Sequence, residues 1–269
     1  DKLHLINSNY KLIINIEVKG KKIVIKDNAA GISQERFQDA FKAGKKIEKR
    51  KNKLKSLGEF NMGMKAASYW FTPTWKVITK SIEETETKLV KMNRDNIINV
   101  NSKIKVQKAF NKSKKGFTEV ILENITKPIS PKKFNSIKDH LASIHREFLR
   151  KDIVTINFNN DKLIFIEPEF KKNYPYRPYK EWLDKFKDNL NSQEAKKNKP
   201  TEVKWKQNID ISFGDGLRAK GYVGILLTSN PKISGFHYFR RKRCIEQNVF
   251  PQEMFSESDR GSERAKSIY

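Results

Sequence analysis

Three short segments of the sequence combine polar side chains with small residues in patterns that suit the binding of a planar, phosphorylated ligand. The first is Asp27-Asn-Ala-Ala-Gly31, in which an acidic residue follows an apolar run. A carboxylate there could accept a hydrogen bond from an adenine amino group, while Gly31 could supply a positive φ and let the backbone approach the base. An ordinary turn after a strand is the alternative, because Asp-Asn is common in turns.

The second segment runs from Gly58 to Lys65, after a basic stretch and directly before a helical pattern. Glycines allow tight curvature, and the free N–H groups at a helix start bind phosphate. The helix dipole disfavours a cation in the first turn, so Lys65 suits an anionic ligand. A glycine-containing loop before a core helix is the alternative. The predicted phosphate contacts are Gly58, Phe60, Asn61, Gly63, Met64 and Lys65.

The third segment is Gly116-Phe117-Thr118, at the start of an apolar strand. The Thr118 hydroxyl could reach a nucleotide pocket. Taken alone the segment means little, because threonine is common in strands.

In this order the three segments resemble the motifs of the GHKL superfamily, which includes gyrase B subunits, ninety-kilodalton heat-shock chaperones, histidine kinases, MutL and MORC proteins. Asp27 matches the aspartate that reads adenine, and Thr118 matches the late threonine of the superfamily. Gly31 matches the second glycine of the first motif, and Lys65 resembles a lysine of MORC-like members. The outer glycines of the lid motif are matched by Gly58 and Gly63. The resemblance implies ATP and Mg²⁺ as ligands, and residues 42–57 as a lid over the nucleotide.

Two departures from these motifs concern binding and catalysis. Ala29 and Asn61 stand where the superfamily usually has glycine. The superfamily also carries a general-base Glu and a Mg²⁺-binding Asn on a helix before the first hairpin, and residues 1–9 do not match it. We therefore expect both residues upstream of residue 1 and assign no catalytic residue or metal ligand in the sequence. ATP hydrolysis is expected in the complete protein; a non-hydrolysing ATP-binding module is the alternative.

The likeness is closer to prokaryotic GHKL ATPases of genome-defence neighbourhoods, which are MORC-like or chaperone-like. It also covers Lys138–Arg146 and Gly235–Arg243. This resemblance implies an antiviral defence role and a homodimer or a complex with companion proteins. The basic run after residue 239 could contact nucleic acid or the γ-phosphate, or could be a solvated charge run. The candidates are Arg240, Arg241 and Arg243.

The charge of the chain favours a polyanionic partner. Its 56 Lys and Arg against 31 Asp and Glu give a formal net charge of +25. Such a field attracts DNA or another nucleic acid, although a generally lysine-rich composition would give the same number. The two readings of function are therefore an ATP-driven machine acting on nucleic acid and a chaperone-like ATPase acting on protein clients.

Composition also bears on location and metal chemistry. Cys244 is the single cysteine, which fits a reducing compartment, and no stretch approaches the roughly 20 apolar residues of a membrane span. We expect a cytoplasmic protein with no membrane partner. Four histidines and one cysteine, without a tight carboxylate cluster, argue against a zinc site.

Periodicity and turn residues predict an α+β protein of two domains. The resemblance to the GHKL superfamily implies a Bergerat-type ATP-binding α/β sandwich, a mixed sheet with helices on one face, over residues 1–127. A transducer-like α/β domain, with a long hairpin through Gly214-Asp-Gly216, is expected over residues 128–269. In the helix before residue 71 we expect Met64, Ala67, Tyr69 and Trp70 to be partly buried.

Overall fold

The computed structural model describes residues 10–41, 62–94, 105–251, 256 and 262–269. The predicted lid, residues 42–57, and three predicted phosphate contacts, Gly58, Phe60 and Asn61, lie outside the described residues. The described chain forms two compact units. One extends to Phe165 and includes Arg241–Arg243; the other comprises Ile166–Arg240 and the chain from Cys244 onward.

The first unit contains one eight-stranded sheet with the strand order β5-β4-β3-β6-β2-β1-β7-β8. Neighbouring strands are antiparallel except for β1 and β7, which run parallel. The strands are β1 (Leu12–Lys19), β2 (Lys22–Asp27), β3 (Thr74–Lys80), β4 (Glu86–Asn93), β5 (Val106–Phe110), β6 (Phe117–Leu122), β7 (Val154–Phe158) and β8 (Asp161–Lys162).

Alternation along the strands gives this sheet one apolar and one polar face. Ile14, Ile16 and Val18 of β1 share a face and pack in the main hydrophobic core. The opposite face carries ion pairs such as Lys26–Glu119, with 3.6 Å between nitrogen and oxygen. A sheet with one apolar face needs a covering layer on that side.

Helices supply that layer. They are α1 (Gln34–Phe41), α2 (Gly63–Phe71), α3 (Phe134–Ile144) and α4 (Arg146–Arg150), with a 3-10 turn at Pro131–Lys133 before α3. Phe37 and Phe41 of α1 and Ala142 of α3 are buried in the same core as the strands. The predicted α+β class, with helices packed on one face of a mixed sheet, is confirmed.

The burial predicted for α2 is right for two of its four residues. Met64 and Tyr69 are half-buried and pack against the core. Ala67 is exposed, and Trp70 is 84% exposed. A nine-residue helix has room for only one buried stripe. In α2 that stripe includes Lys65 and Ser68, which are buried in place of the two apolar residues.

The two compact units divide after Phe165, whereas the predicted domain boundary lies after residue 127. The reason is the pairing of β7 with β1, in which Leu12 lies opposite Val154 and Ile16 opposite Phe158. This parallel pairing brings the chain from α3 to β8 into the first unit. The assignment of ATP-binding and transducer-like roles to the two ranges stays a prediction.

The second unit is built from short strands, two of which form the long predicted hairpin. Its strands are β9 (Lys172–Asn173), β10 (Val203–Lys204), β11 (Lys206–Gly214), β12 (Leu217–Gly224), β13 (Phe236–Arg240) and β14 (Arg243–Val249). Its helices are α5 (Tyr176–Phe186), α6 (Gln193–Lys197) and α7 (Glu263–Lys266). Strands β11 and β12 form the predicted hairpin, and Gly214 and Gly216 at its turn both have positive φ. Among the helices described here, none combines the length and apolar character needed to cross a membrane.

Candidate nucleotide-binding site

Asp27 ends β2 in the middle of the sheet, between Ile14 of β1 and Thr118 of β6. Its Oδ1 accepts hydrogen bonds from the backbone N–H of Ala29 at 2.9 Å and of Thr118 at 3.2 Å. Within the part of the chain that the structure describes, Oδ2 accepts no hydrogen bond. The carboxylate is thus fixed through one oxygen and offers the other to a ligand.

The carboxylate of Asp27 is partly withdrawn from water. Burial raises the pKa of Asp27 above its ordinary value, although the hydrogen bonds from Ala29 and Thr118 act in the opposite direction. Burial, together with the charge of Asp27, raises the pKa of Tyr10 to about 12. A hydrogen bond to Asp27 therefore forms where water competes weakly, which strengthens it.

An apolar wall lies beside Asp27 on the helix-covered face. Ile25 is two residues before Asp27 and so shares its face; it lies opposite Ile16 of β1 and Val120 of β6. Ile25 is nevertheless 36% exposed, and Ile16 and Val120 are only half-buried. The described helices therefore cover this part of the sheet only in part. An open apolar surface next to a fixed acceptor suits a planar base that carries an amino group.

Gly31 brings the loop after β2 against the end of β3. Its φ is +71°, and a Cβ at this position would lie 1.9 Å from the carbonyl oxygen of Lys80. The backbone N–H of Ile82 donates to the carbonyl of Ala30 at 3.0 Å in the same contact. The positive φ expected of Gly31 is present, and the close approach leaves no room for a side chain.

Thr79, a fully buried residue of β3, ties the same loop to β6. Its hydroxyl donates to the carbonyl of Phe117 at 3.0 Å, accepts from the N–H of Ile32 at 3.0 Å and lies 3.2 Å from the Thr118 hydroxyl. Because its single proton is used on Phe117, the Thr118 hydroxyl is the donor between the two threonines. The lone pairs of Thr118 are thus directed away from Thr79.

Gly116 completes the loop packing around Asp27. A Cβ at Gly116 would lie 2.6 Å from the carbonyl oxygen of Ala29 and 2.7 Å from that of Ala30. The start of β6 can therefore reach Asp27 only with glycine at this position. The sequence pattern singled out Gly116 only as part of the Thr118 segment. Thr79 was not predicted, because threonine is an ordinary residue in a strand.

Helix α1, which follows this loop, is held at its start by a hydrogen bond to Glu84, which in turn forms an ion pair. Glu84 Oε1 accepts from the N–H of Gln34 at 2.6 Å, and Oε2 pairs with the buried amine of Lys88. Burial raises the pKa of Glu84. The hydrogen bonds from Lys88 and Gln34 and the charges of Lys88 and Lys108 outweigh burial and leave the pKa below its ordinary value. A carboxylate at a helix start also interacts favourably with the helix dipole.

Lys65 holds the other end of α1. Its side chain is 2% exposed, and its amine donates to the carbonyl of Ala40 at 2.7 Å. Carbonyls in the last turn of a helix lack partners within the helix, and a cation there suits the dipole. Burial lowers the pKa of this amine. In the structure, Lys65 thus binds the C-terminal end of α1. Its contact with phosphate stays a prediction.

Among the predicted phosphate contacts, Gly63 and Met64 are the two others that the structure describes. Gly63 begins α2, and a Cβ there would meet no atom within 4 Å. Met64 packs against the core. Among the described residues, therefore, none fills the space beside Gly63, and the helix itself cannot satisfy the N–H groups of its first turn.

The predicted basic contacts lie at the turn between β13 and β14. Arg240 ends β13, Arg243 begins β14, and Arg241 and Lys242 form the turn with φ of 51° and 67°. Their contact with nucleic acid or phosphate stays a prediction. Among the described residues no group of three or more His, Cys, Asp or Glu could hold a metal ion.

Residues 8–125 match the model of a protein family described as histidine kinase-, DNA gyrase B-, and HSP90-like ATPase. This range is less than half of the chain and contains Asp27, Gly31, Thr79, Gly116 and Thr118. A search of curated proteins found no match.

Solved structures with a detectable similarity include three ATPase regions of topoisomerase II. One is the ATPase and transducer domains from Balamuthia mandrillaris, with a TM-score of 0.41 and 11% identity, covering 60% of this chain and 44% of that one. A second is the ATPase region of the Saccharomyces cerevisiae enzyme bound to dexrazoxane, with a TM-score of 0.41 and 13% identity. This match covers 61% of this chain and 46% of that one. The third is the same region of the Saccharomyces cerevisiae enzyme in another crystal structure, with a TM-score of 0.43 and 12% identity. This match covers 85% of this chain and 55% of that one.

The chain spans about half the length of these structures, and their similarity assigns no function to it. Over residues 8–125, however, the chain is similar to the histidine kinase-, DNA gyrase B-, and HSP90-like ATPases, and this similarity supports ATP binding.

Proposed function

We propose that the first unit binds ATP and that ATP binding drives a conformational or dimerisation switch in a machine that acts on nucleic acid. The observation that carries the proposal is the arrangement at Asp27. One carboxylate oxygen is fixed by two backbone N–H groups, and the other is open beside the exposed apolar surface of Ile25. This arrangement fits adenine, which offers an amino donor on a flat apolar ring.

The residues present fit the rest of the nucleotide as well. Asp27 Oδ2 would accept from the amino group, and the tight backbone at Gly31 would line the base. The phosphates would lie at the start of α2, where free N–H groups of Gly63 and Met64 attract anions. Lys65 would reach them by leaving the carbonyl of Ala40. Mg²⁺, when bound, would neutralise charge on the phosphate oxygens.

The proposed switch depends on the charge of the lid. Residues 42–57 contain eight Lys and Arg against one Glu, and the like charges of such a segment repel one another. A triphosphate would offset that repulsion and favour a closed arrangement of the lid. Hydrolysis would reset the switch, and none of the described residues is assigned as its general base.

Nucleic acid is the proposed partner because of the net charge of +25. A field of that sign attracts polyanions and speeds their approach. It also agrees with the resemblance of the chain to ATPases of defence neighbourhoods. The proposed contacts at Arg240, Arg241 and Arg243 belong to the same hypothesis.

Calorimetric titration with non-hydrolysable analogues of ATP and GTP tests the site. Asp27→Asn keeps the size of the side chain and an oxygen for the N–H groups of Ala29 and Thr118. It replaces the open acceptor with an NH₂ donor, which opposes the adenine amino group. We expect affinity for the ATP analogue to fall about 5- to 150-fold, since a lost and mismatched buried hydrogen bond costs about 1–3 kcal/mol.

The ratio of ATP to GTP affinity should also fall, because an NH₂ group can donate to the guanine carbonyl. Asp161→Asn, in an exposed ion pair with Lys138, is the control and should bind as the wild type does. Equal binding of the ATP analogue by wild type and Asp27→Asn would remove the proposed site.

A further inference from the structure

Residues 105–115 form a continuous basic surface at the edge of the sheet in the first unit, which we call the basic strip. It consists of the edge strand β5 and the loop that leads to β6. Its five lysines, with no acidic residue among them, are Lys105, Lys108, Lys112, Lys114 and Lys115. Every residue of the strip except Asn111 is exposed. Within the described chain, Lys108 is the one lysine of the strip with an ion-pair partner, Glu86 at 2.9 Å.

An exposed aromatic ring interrupts these lysines. Phe110 is 71% exposed and lies two residues after Lys108, on the same face of β5. The amine of Lys112 lies 6.0 Å from the centre of the Phe110 ring. The ring therefore lies among the lysines of the strip with much of its surface open to solvent, where a base could stack on it.

The loop of the strip has a defined shape. The backbone of Asn111 donates to the carbonyl of Thr85 at 2.7 Å, and its side-chain amide donates to the hydroxyl of Thr87 at 3.0 Å. The side chains of Asn111 and Ser113 accept from the N–H of Ser113 and Lys115 at 3.0 and 3.1 Å. These bonds set the path of the backbone, and thereby the spacing of the lysines along it.

Protection of a sheet edge is a simpler reason for lysines on β5, because charged residues on an edge strand prevent pairing with another chain. That reason covers Lys108, which is in the strand. It does not cover Lys112, Lys114 and Lys115, which lie in the loop, and it predicts the opposite of an exposed Phe110.

We propose that the basic strip binds single-stranded nucleic acid, with lysines on the phosphates and one unpaired base stacked on Phe110. This inference rests on the proposed action on nucleic acid and names the surface for it. Lysines that follow a backbone with an aromatic ring between them suit a single strand, whose bases have free faces. In a duplex the bases are already stacked on their neighbours, and Phe110 would have no partner.

The first experiment measures phosphate contacts. The 269-residue chain binds a labelled twenty-nucleotide oligothymidylate over a series of salt concentrations. One variant replaces Lys105, Lys112, Lys114 and Lys115 with Gln. The control replaces four exposed lysines elsewhere in the first unit, Lys19, Lys127, Lys132 and Lys151, with Gln, and so has the same net charge.

Each phosphate contact contributes about 0.7 to the slope of log affinity against log salt for a single strand. The strip variant should therefore lose up to about 3 in slope, with the largest loss of affinity at low salt. The control should keep the wild-type slope. Equal slopes for the two variants would overturn the assignment of the strip, because the charge would then act without regard to position.

The second experiment measures stacking. Phe110→Ala should weaken binding of the oligothymidylate by about tenfold, the usual effect of one lost stacking partner. Phe213→Ala removes a similarly exposed ring from the second unit and is the control. A duplex of the same length should respond less to Phe110→Ala than the single strand does. Unchanged single-strand binding by Phe110→Ala would overturn the stacking role.

Titration of the same proteins with the ATP analogue separates this inference from the proposed function. The strip variant should bind the analogue as the wild type does. A wild type that binds the analogue but not the oligonucleotide would refute the strip and leave the nucleotide site standing. Loss of the nucleotide site would instead show as equal analogue binding by wild type and Asp27→Asn.

Discussion

The carboxylate of Asp27 is held by backbone N–H groups, and within the described chain no lysine or arginine pairs with it. A cation at this place would satisfy both oxygens and compete with a ligand. Backbone groups fix only one oxygen and leave the other its hydrogen-bonding capacity. The cost is a partly buried charge, which is visible in the raised pKa of this group. The partly buried charge of Asp27 therefore destabilises the folded protein, and a hydrogen-bond donor on a bound ligand would reduce that cost.

Replacement of Asp27 by Asn should stabilise the protein at neutral pH, by about 1 kcal/mol, because it removes that charge and keeps the shape. The pKa of Asp27 is higher in the folded chain than in the unfolded one. The folded chain thus binds the proton more tightly, and the stability due to this group falls as pH rises from the unfolded to the folded pKa. Urea unfolding of the wild type and Asp27→Asn between pH 4 and pH 7 should show a difference in the free energy of unfolding. This difference should become smaller toward low pH.

Asp152→Asn is the control of opposite sign in the same unit. The hydrogen bond and charge of Lys11 lower the pKa of Asp152 below its ordinary value. Its stabilising effect is present above the unfolded pKa and is lost as pH falls through the folded pKa. At pH 7, Asp152→Asn should therefore be less stable than the wild type. A difference in the free energy of unfolding between Asp27→Asn and the wild type that stays constant with pH would contradict the raised pKa of Asp27.

Residue types and spacing were enough to nominate Asp27, Gly31 and Thr118, because each follows a local rule: a strand end, a positive φ, a strand start. They could not reveal Thr79, which meets Ile32 from a strand 47 residues away. They also could not reveal that Lys65 donates to Ala40. Such contacts depend on which strands become neighbours, and that information is not local.

At the scale of elements, the site depends on three segments that touch through their backbones: the loop after β2, the end of β3 and the start of β6. Gly31 contacts the carbonyl of Lys80, and Gly116 contacts the carbonyl of Ala29. Small residues here let the segments approach far closer than side chains would allow. The position of Asp27 relative to the open apolar surface follows from this packing.

Gly31→Ala should destabilise the protein far more than Gly20→Ala does. Both glycines have positive φ, +71° and +56°, but a Cβ at Gly20 meets nothing within 4 Å, whereas at Gly31 it would lie 1.9 Å from Lys80 O. We expect a loss of about 1 kcal/mol for Gly20→Ala from the backbone conformation alone. For Gly31→Ala we expect at least about 3 kcal/mol, since the backbone must also move apart.

Urea unfolding measures the free energy of both variants, and titration with the ATP analogue measures the site. Gly31→Ala should also weaken analogue binding, because the loop that lines the base is displaced, while Gly20→Ala should bind as the wild type does. Similar losses of stability in the two variants would mean that the loop after β2 does not press against β3 as described.

Elements with strong local signals were predicted from the sequence, and their partners were not. The hairpin of β11 and β12 was expected, since it joins neighbours in the chain through a short turn at Gly214-Asp-Gly216. The position of β6 between β2 and β3, and the parallel pairing of β7 with β1, were not. Strand β14 was missed because its alternation of charged and apolar residues is weak.

At the scale of the whole molecule, the sheet determines where the first unit ends. The boundary expected after residue 127 rests on Pro128 and Pro131, which come directly after it. The chain beyond it nevertheless contributes α3 and β7, with Ile156, Phe158 and Leu163 buried in the main core. Prolines show where the chain turns, and they do not show whether the next strand joins the same sheet.

Two fragments distinguish these boundaries. Residues 1–165 should fold and bind the ATP analogue, because they contain every strand of the eight-stranded sheet. Residues 1–127 lack three large buried side chains of the core, each contributing about 1.5–3 kcal/mol, or about 5–9 kcal/mol together. That loss is comparable to the whole stability of a domain, about 5–15 kcal/mol.

Circular dichroism and urea unfolding measure the folding of each fragment, and calorimetry measures its affinity for the analogue. The shorter fragment should show no cooperative unfolding transition and no binding. If it unfolds cooperatively and binds as tightly as residues 1–165, β7 is not needed to complete the sheet. The parallel pairing with β1 would then be a later addition to a core that closes without it.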